Sequence, residues 1–139
     1  MAFSFSKLLS NKKEKVTLKQ LPELKLTGVT KYAKNDLNDV YLDFEELGGF
    51  PFIKTIIVGE ISVAYKRVGC QLTFFFKDEQ ITLNSDNTAV ESSQIKNTDV
   101  FYTQIDFELT EEELAKIKKR KIKEIEFSFK KSKETFQVL

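Results

Sequence analysis

The sequence predicts a mainly β protein, an antiparallel β-sandwich or half-open barrel of about seven or eight strands with one short helix at about residues 111–120 before a C-terminal hairpin. Three observations predict it. Apolar and polar residues alternate in six or more separate segments, the period-2 pattern of half-buried strands. The aromatic residues are thirteen Phe and four Tyr with no Trp, a complement that suits a pleated, Phe-heavy interior. One segment alone, LTEEELAKIKKRKIKEIEFSF from Leu109 to Phe129, carries helix start and stop signals in the right order. A chain of 139 residues, 41% hydrophobic and 31% charged, is long enough and apolar enough for one self-sufficient core. The expected division is an N-terminal arm, residues 1–15, and a single antiparallel β domain, residues 16–139.

In the arm, Phe5, Leu8 and Leu9 fall at i, i+3 and i+4, so residues 3–10 predict one or two amphipathic turns ahead of the polar joint NKKEK. The arm either docks a partner through Phe3, Phe5 and Leu8 or folds back on its own domain. KVTLKQLPELKLTGV alternates on both sides of Pro22, and a proline there predicts an edge strand with a break. DVYLDFEEL sets Val40, Leu42 and Phe44 on one face and Tyr41, Asp43 and Glu45 on the other, and GGFPF then turns the chain. TIIVGEISVAYKR is expected to be a central strand, with Ile57, Ile61, Val63 and Tyr65 sharing a face and Gly59 marking a bulge or a close backbone approach.

CQLTFFF groups Cys70, Leu72, Phe74 and Phe76, and KDEQ returns the chain into ITL as a hairpin over residues 70–84. NSDNT opens a polar stretch that runs to Asp99, long enough to be a binding loop. VFYTQIDFEL places Phe101, Thr103, Ile105, Phe107 and Leu109 inward against Tyr102, Gln104, Asp106 and Glu108. Thr110 and Glu113 form a capping box, with Leu109 and Leu114 placed as a hydrophobic staple. Glu111, Glu112 and Glu113 lie at the positive end of the helix dipole, and Lys118, Lys119, Arg120 and Lys121 at the negative end. Ile122 is out of phase with Ile125, Phe127 and Phe129, which puts the switch from helix to strand between them. IEFSF and TFQVL close the chain as a hairpin about KKSKE, and the C-terminal strand is expected to be an exposed edge.

Net charge is only +1, so no global field recruits nucleic acid or an acidic membrane. The charge is nonetheless segregated: a net +6 over residues 1–34, −8 over 35–109 and +3 over 110–139. Basic ends lying near an acidic middle is the simplest consequence. A bipolar surface that steers a partner into register is the functional one. The single Cys70 excludes an intramolecular disulfide and suits a reducing compartment. The opening MAFSFSKLLSNKKEK lacks the features of a secretory signal, and no window reaches the ~20 apolar residues of a membrane span, so cytoplasm is the expected location.

Absent side chains narrow the chemistry further. No His is present, which removes the usual general base and the commonest transition-metal ligand. No GxGxxG or P-loop pattern occurs, and DLNDVYLDFEE lacks the glycine and ligand spacing of an EF-hand loop. No cofactor or metal is therefore expected. Cys70 falls on an inward face and reads as an inert buried thiol. The outward Tyr41 and Tyr102 have carboxylates as strand neighbours, which would repel the phosphates of RNA. The expected function is a non-catalytic intracellular module that binds a protein partner or a second copy, with a small subunit of a larger assembly as one form of it. Its expected contacts are Phe3, Phe5 and Leu8 of the arm with Tyr41, Asp43 and Glu45 of the acidic strand. The first alternative is a carrier of a small apolar ligand in a Phe-lined barrel. Less favoured are a nucleic-acid patch at Lys118, Lys119, Arg120 and Lys121, and a carboxylate hydrolase using Glu60, Asp106 or Glu108.

Overall fold

The computed structural model describes residues 29–139. In chain order its elements are β1 (Thr30–Lys34), β2 (Asn38–Leu47), β3 (Phe50–Gly59), β4 (Ala64–Tyr65), β5 (Gln71–Phe75), β6 (Gln80–Asn84), β7 (Val90–Glu91), β8 (Ser93–Gln94), β9 (Phe101–Glu108), α1 (Glu111–Lys119), β10 (Glu124–Ser128) and β11 (Lys133–Val138). Eight of these strands have five residues or more, and β4, β7 and β8 are two-residue pieces. The arm and the alternating segment around Pro22 lie outside the described residues.

Nine strands form one antiparallel sheet in the order β6-β5-β10-β11-β1-β2-β3-β9-β8, and β4 pairs with β7 as a small separate ribbon. The sheet curls until its ends touch. Ser85, just past β6, bridges Phe107 of β9. The Asp86 N–H donates to the Asp106 carbonyl at 2.7 Å, and Asn87 Oδ1 accepts from the Asp106 N–H at 2.9 Å. One curled sheet joined along this seam is a half-open barrel, and it settles the choice against a two-sheet sandwich.

The concave side holds the main core. Phe74, Phe107, Phe127 and Phe136 are fully buried, with Phe127 edge-on to Phe136 at 5.6 Å between centroids and tilted on Phe107 at 6.1 Å. Each such side chain contributes roughly 1.5–3 kcal/mol by leaving water, and the quadrupoles favour these edge and tilted arrangements. Inward alternation holds at Val40, Leu42, Thr103, Ile105 and Leu109, which are buried, while Phe101 is only half-buried. A second, smaller cluster sits on the convex side: Ile56, Val58 and Val100, covered by Val29, Tyr41, Ile95 and Tyr102.

Local chemistry explains the turns. Gly48 and Gly49 take φ of +59° and +85°, the two left-handed positions of a type I′ hairpin turn, so β2 and β3 pair without interruption from Asn38↔Gly59 to Leu47↔Phe50. At the other end of β3 a Cβ on Gly59 would run into the Leu37 carbonyl oxygen and the Asn38 side chain, so the close approach expected there is real. β3 is shifted from the expected central strand: it starts earlier, at Phe50, and stops at Gly59. Ile61 stays in the core, but its segment leaves the sheet because Asn38 Oδ1 takes the Ile61 N–H at 3.0 Å in place of a ladder partner.

Two further expectations are corrected. The polar stretch 85–99 is not a free loop. Ser92 Oγ accepts from the Val63 N–H at 2.9 Å and bonds Thr103 Oγ1 at 2.7 Å, while Val90 is buried, so the stretch is strapped across the barrel wall. The C-terminal strand is not an edge either. β11 pairs with β10 along its length and with β1 through Gln137↔Lys34 and Val138↔Ala33.

The helix forms where expected and its capping box is complete: the Glu113 N–H donates to Thr110 Oγ1 at 3.0 Å and the Thr110 N–H to Glu113 Oε1 at 2.9 Å. Ile117 enters the core with Leu114 packed beside it. The charged end of α1 reaches both sides of the curl. Lys118 sits 5.6 Å over the Phe44 ring of β2, and Arg120 sits 5.9 Å over Phe76 and pairs with Glu79 in the β5–β6 turn. The helix thus touches β2 at one side and the β5–β6 turn at the other. Among the described residues, no helix is long and apolar enough to cross a membrane.

Candidate functional site

The outward side chains of β2, β3 and β9 line up in rows because the three strands share one unbroken antiparallel register. Tyr41, Ile56 and Gln104 form one row, Asp43, Lys54 and Asp106 the next, and Glu45, Phe52 and Glu108 the last. Beyond them Leu47 pairs with Phe50 across the Gly48–Gly49 turn. Four carboxylates therefore flank one ammonium and one ring, and the strip ends in an apolar tip. Leu47 and Phe50 are each 74% exposed, the most exposed of the large hydrophobic residues described. A groove of about 330 Å³ opens below the tip, lined by Leu47, Phe50, Pro51 and Phe52 with Asp86, Asp106 and Glu108.

The electrostatics follow from this crowding. Glu45 is held above its ordinary value, chiefly by its hydrogen bond with the Asp43 carboxyl, then by desolvation and the Asp43 charge. Lys54 opposes the shift and Asp106 adds to it. One oxygen of Asp106, Oδ1, is shielded from solvent and has no hydrogen-bond donor. Such an oxygen is costly to leave unmatched, and an ammonium or N–H group brought into the groove would relieve it. Further up the same face, Lys31 Nζ pairs with Asp39 at 3.2 Å.

Of the residues singled out from the sequence, Asp43 and Glu45 belong to this strip. Tyr41 lies in the adjoining row but is half-buried in the convex cluster beside Val29. Phe3, Phe5 and Leu8 lie outside the described residues. Asp106 and Glu108 lie beside Asp43 and Glu45 across β3, while Glu60 stands exposed past the far end of that strand. Sequence reasoning missed Leu47, Phe50 and the groove. The GG turn was the available signal, because a two-residue turn forces the flanking Leu47 and Phe50 to its apex.

The basic run is partly occupied inside the fold. Arg120 pairs with Glu79 and lies 3.8 Å from Asp78, and Lys116 lies 3.6 Å from Glu79. Lys118 covers Phe44, whereas Lys119 and Lys121 are exposed. Cys70 is buried beside the β5–β6 hairpin, with its thiol pushed up to about 12, chiefly by desolvation. A groove of about 230 Å³ beside it is lined by polar groups such as Gln71, Asn84 and Ser85. Both grooves open on the surface, whereas the Phe rings of the core pack on one another. Among the described residues, no cluster of His, Cys, Asp or Glu is arranged to hold a metal ion. Comparison with protein-family models, with curated proteins and with solved structures finds no match.

Proposed function

We propose that the protein is a non-catalytic, cytoplasmic protein-binding module whose contact surface is the acidic strip of β2, β3 and β9 with its Leu47–Phe50 tip. The observation that carries this reading is the pairing of two 74% exposed hydrophobic side chains with a groove walled by three carboxylates. A large ring held in water on a rigid hairpin is the usual form of an interface anchor, and surrounding charge supplies register and rate. The β2–β3 ladder makes the tip rigid, so little ordering entropy is lost on binding. The lone buried Cys70 suits the reducing cytoplasm.

The test is affinity capture from source cells with three full-length baits: wild type, Leu47→Ser with Phe50→Ser, and Asp43→Lys with Glu108→Lys. A protein held by wild type is expected to bind the tip variant roughly tenfold or more weakly, as loss of a central anchor of about 2 kcal/mol requires. The charge-reversed bait should lose it too, and wild-type binding should weaken as salt rises. Equal capture by all three baits, with unchanged melting temperatures, would place the contact elsewhere.

A further inference from the structure

We propose that the acidic strip and its tip are occupied, in the free chain, by the chain's own lysine-rich segment, residues 3–15. This inference rests on the reading of the strip as a binding surface and names its regulation: a partner must displace an internal competitor. Charge is the first ground. Residues 1–28 hold six Lys against Glu14 and Glu23, and Lys7, Lys12, Lys13 and Lys15 fall within the proposed segment. The strip they would meet holds Asp43, Glu45, Asp106 and Glu108 around Lys54, and the shielded Asp106 Oδ1 still lacks a donor.

Direction is the second ground. β1 pairs with β2 through Thr30↔Leu42 and Lys34↔Asp39, so following the chain upstream from Lys34 to Thr30 moves along β2 toward Leu47. Val29, the first described residue, packs on the convex cluster beside Tyr41, on the same face as the strip. The described chain therefore begins on the strip's own face, at the end of β1 nearer Leu47. Reach is the third ground. From Leu42 to Leu47 is about 17 Å of strand, while the fourteen residues between 15 and 30 span up to about 46 Å when extended. The tether holds the segment at an effective concentration in the millimolar range, so even weak contacts fill the site. Phe3, Phe5 and Leu8 then supply apolar side chains for the groove between Leu47 and Phe52.

The test is paramagnetic broadening in the full chain. Ser4→Cys carries a nitroxide label, and Cys70 stays unlabelled because it is buried with its thiol pushed up to about 12. The expected result is loss of amide peak intensity at Phe50, Phe52 and Glu108, with Gly59 and Glu60, about 30 Å along β3 from the tip, unaffected. Intensity should return near 1 M salt, where the screening length falls to about 3 Å, and in the Asp43→Lys, Glu45→Lys background. Full intensity at the tip in low salt overturns the inference. If Leu47→Ser with Phe50→Ser still abolishes partner capture in that case, the binding-surface reading survives alone. Broadening that appears only when labelled chain is mixed with an isotope-enriched unlabelled one also overturns it, because the occupant would then be a second copy.

Discussion

Glu45 shows how one side chain reports on the whole strip. Its carboxyl is held above the ordinary range, first by the hydrogen bond with Asp43 and then by desolvation and like charge. An acid raised in this way binds its proton more readily folded than unfolded. The stability it contributes is full below the unfolded value and is lost as pH rises through the folded one. At about pH 7 the charged Glu45 is therefore held at a cost to the fold. Glu45→Gln should melt higher than wild type at about pH 7, and the difference should vanish by about pH 3. Thermal melts at the two pH values check this, and a Gln variant that melts lower at both would remove the repulsion from the account. A strip of self-repelling carboxylates is stability given up locally, which fits a surface completed by a cationic partner.

At the scale of the element, α1 separates charges that the sequence treats alike. Lys118, Lys119, Arg120 and Lys121 all complement the helix dipole, each worth roughly 0.3–1 kcal/mol when exposed. Of these four, Arg120 alone also joins the helix to the β5–β6 turn, through Glu79, Asp78 and the Phe76 ring, beside Lys116 on Glu79. Lys119→Gln with Lys121→Gln should cost about 0.5 kcal/mol or less, and Arg120→Ala about 1 kcal/mol or more. Thr110→Ala should cost about 1 kcal/mol, because the Glu113 N–H loses its cap. Urea unfolding of the three variants ranks them directly. Equal losses for the Arg and Lys changes would mean that Arg120 acts on the dipole alone. The Thr110 cap and the charge gradient were legible because they act within one helical turn. The Arg120 partners were not, since Glu79 is 41 residues away in the chain.

The whole molecule depends on where the curled sheet closes. Asp86 and Asn87 hold β9 by two hydrogen bonds to the Asp106 backbone, and Ser85 bridges Phe107 beside them. Asn87→Ala should remove one of these at a net cost of about 1 kcal/mol. Hydrogen exchange would show the loss as faster exchange at the Asp106 amide, with Ala33 and Phe136, in the strands farthest from the seam, unchanged. Acceleration spread evenly over all strands would instead mean that the barrel opens as one unit. The seam also sets the groove, for Asp86 and Asp106 line it together with the hairpin tip.

By itself the sequence determined what is written in short-range patterns. Alternation named the inward residues of the longer strands, the Thr110–Glu113 box began the helix, and Gly48–Gly49 turned a hairpin. Each of these acts over a few residues, through side-chain direction, a cap or a left-handed φ. Strand order is a different kind of quantity, since period-2 alternation is the same whichever neighbour a strand takes. Only the tertiary structure decided that β11 lies inside the sheet, that 85–99 is a strap, and that the sheet curls rather than splitting in two. It alone set Asp43 and Glu45 beside Asp106 and Glu108, because β3 lies between β2 and β9 in one register. The acidic strip is a product of non-local pairing, and no window of the sequence contains it.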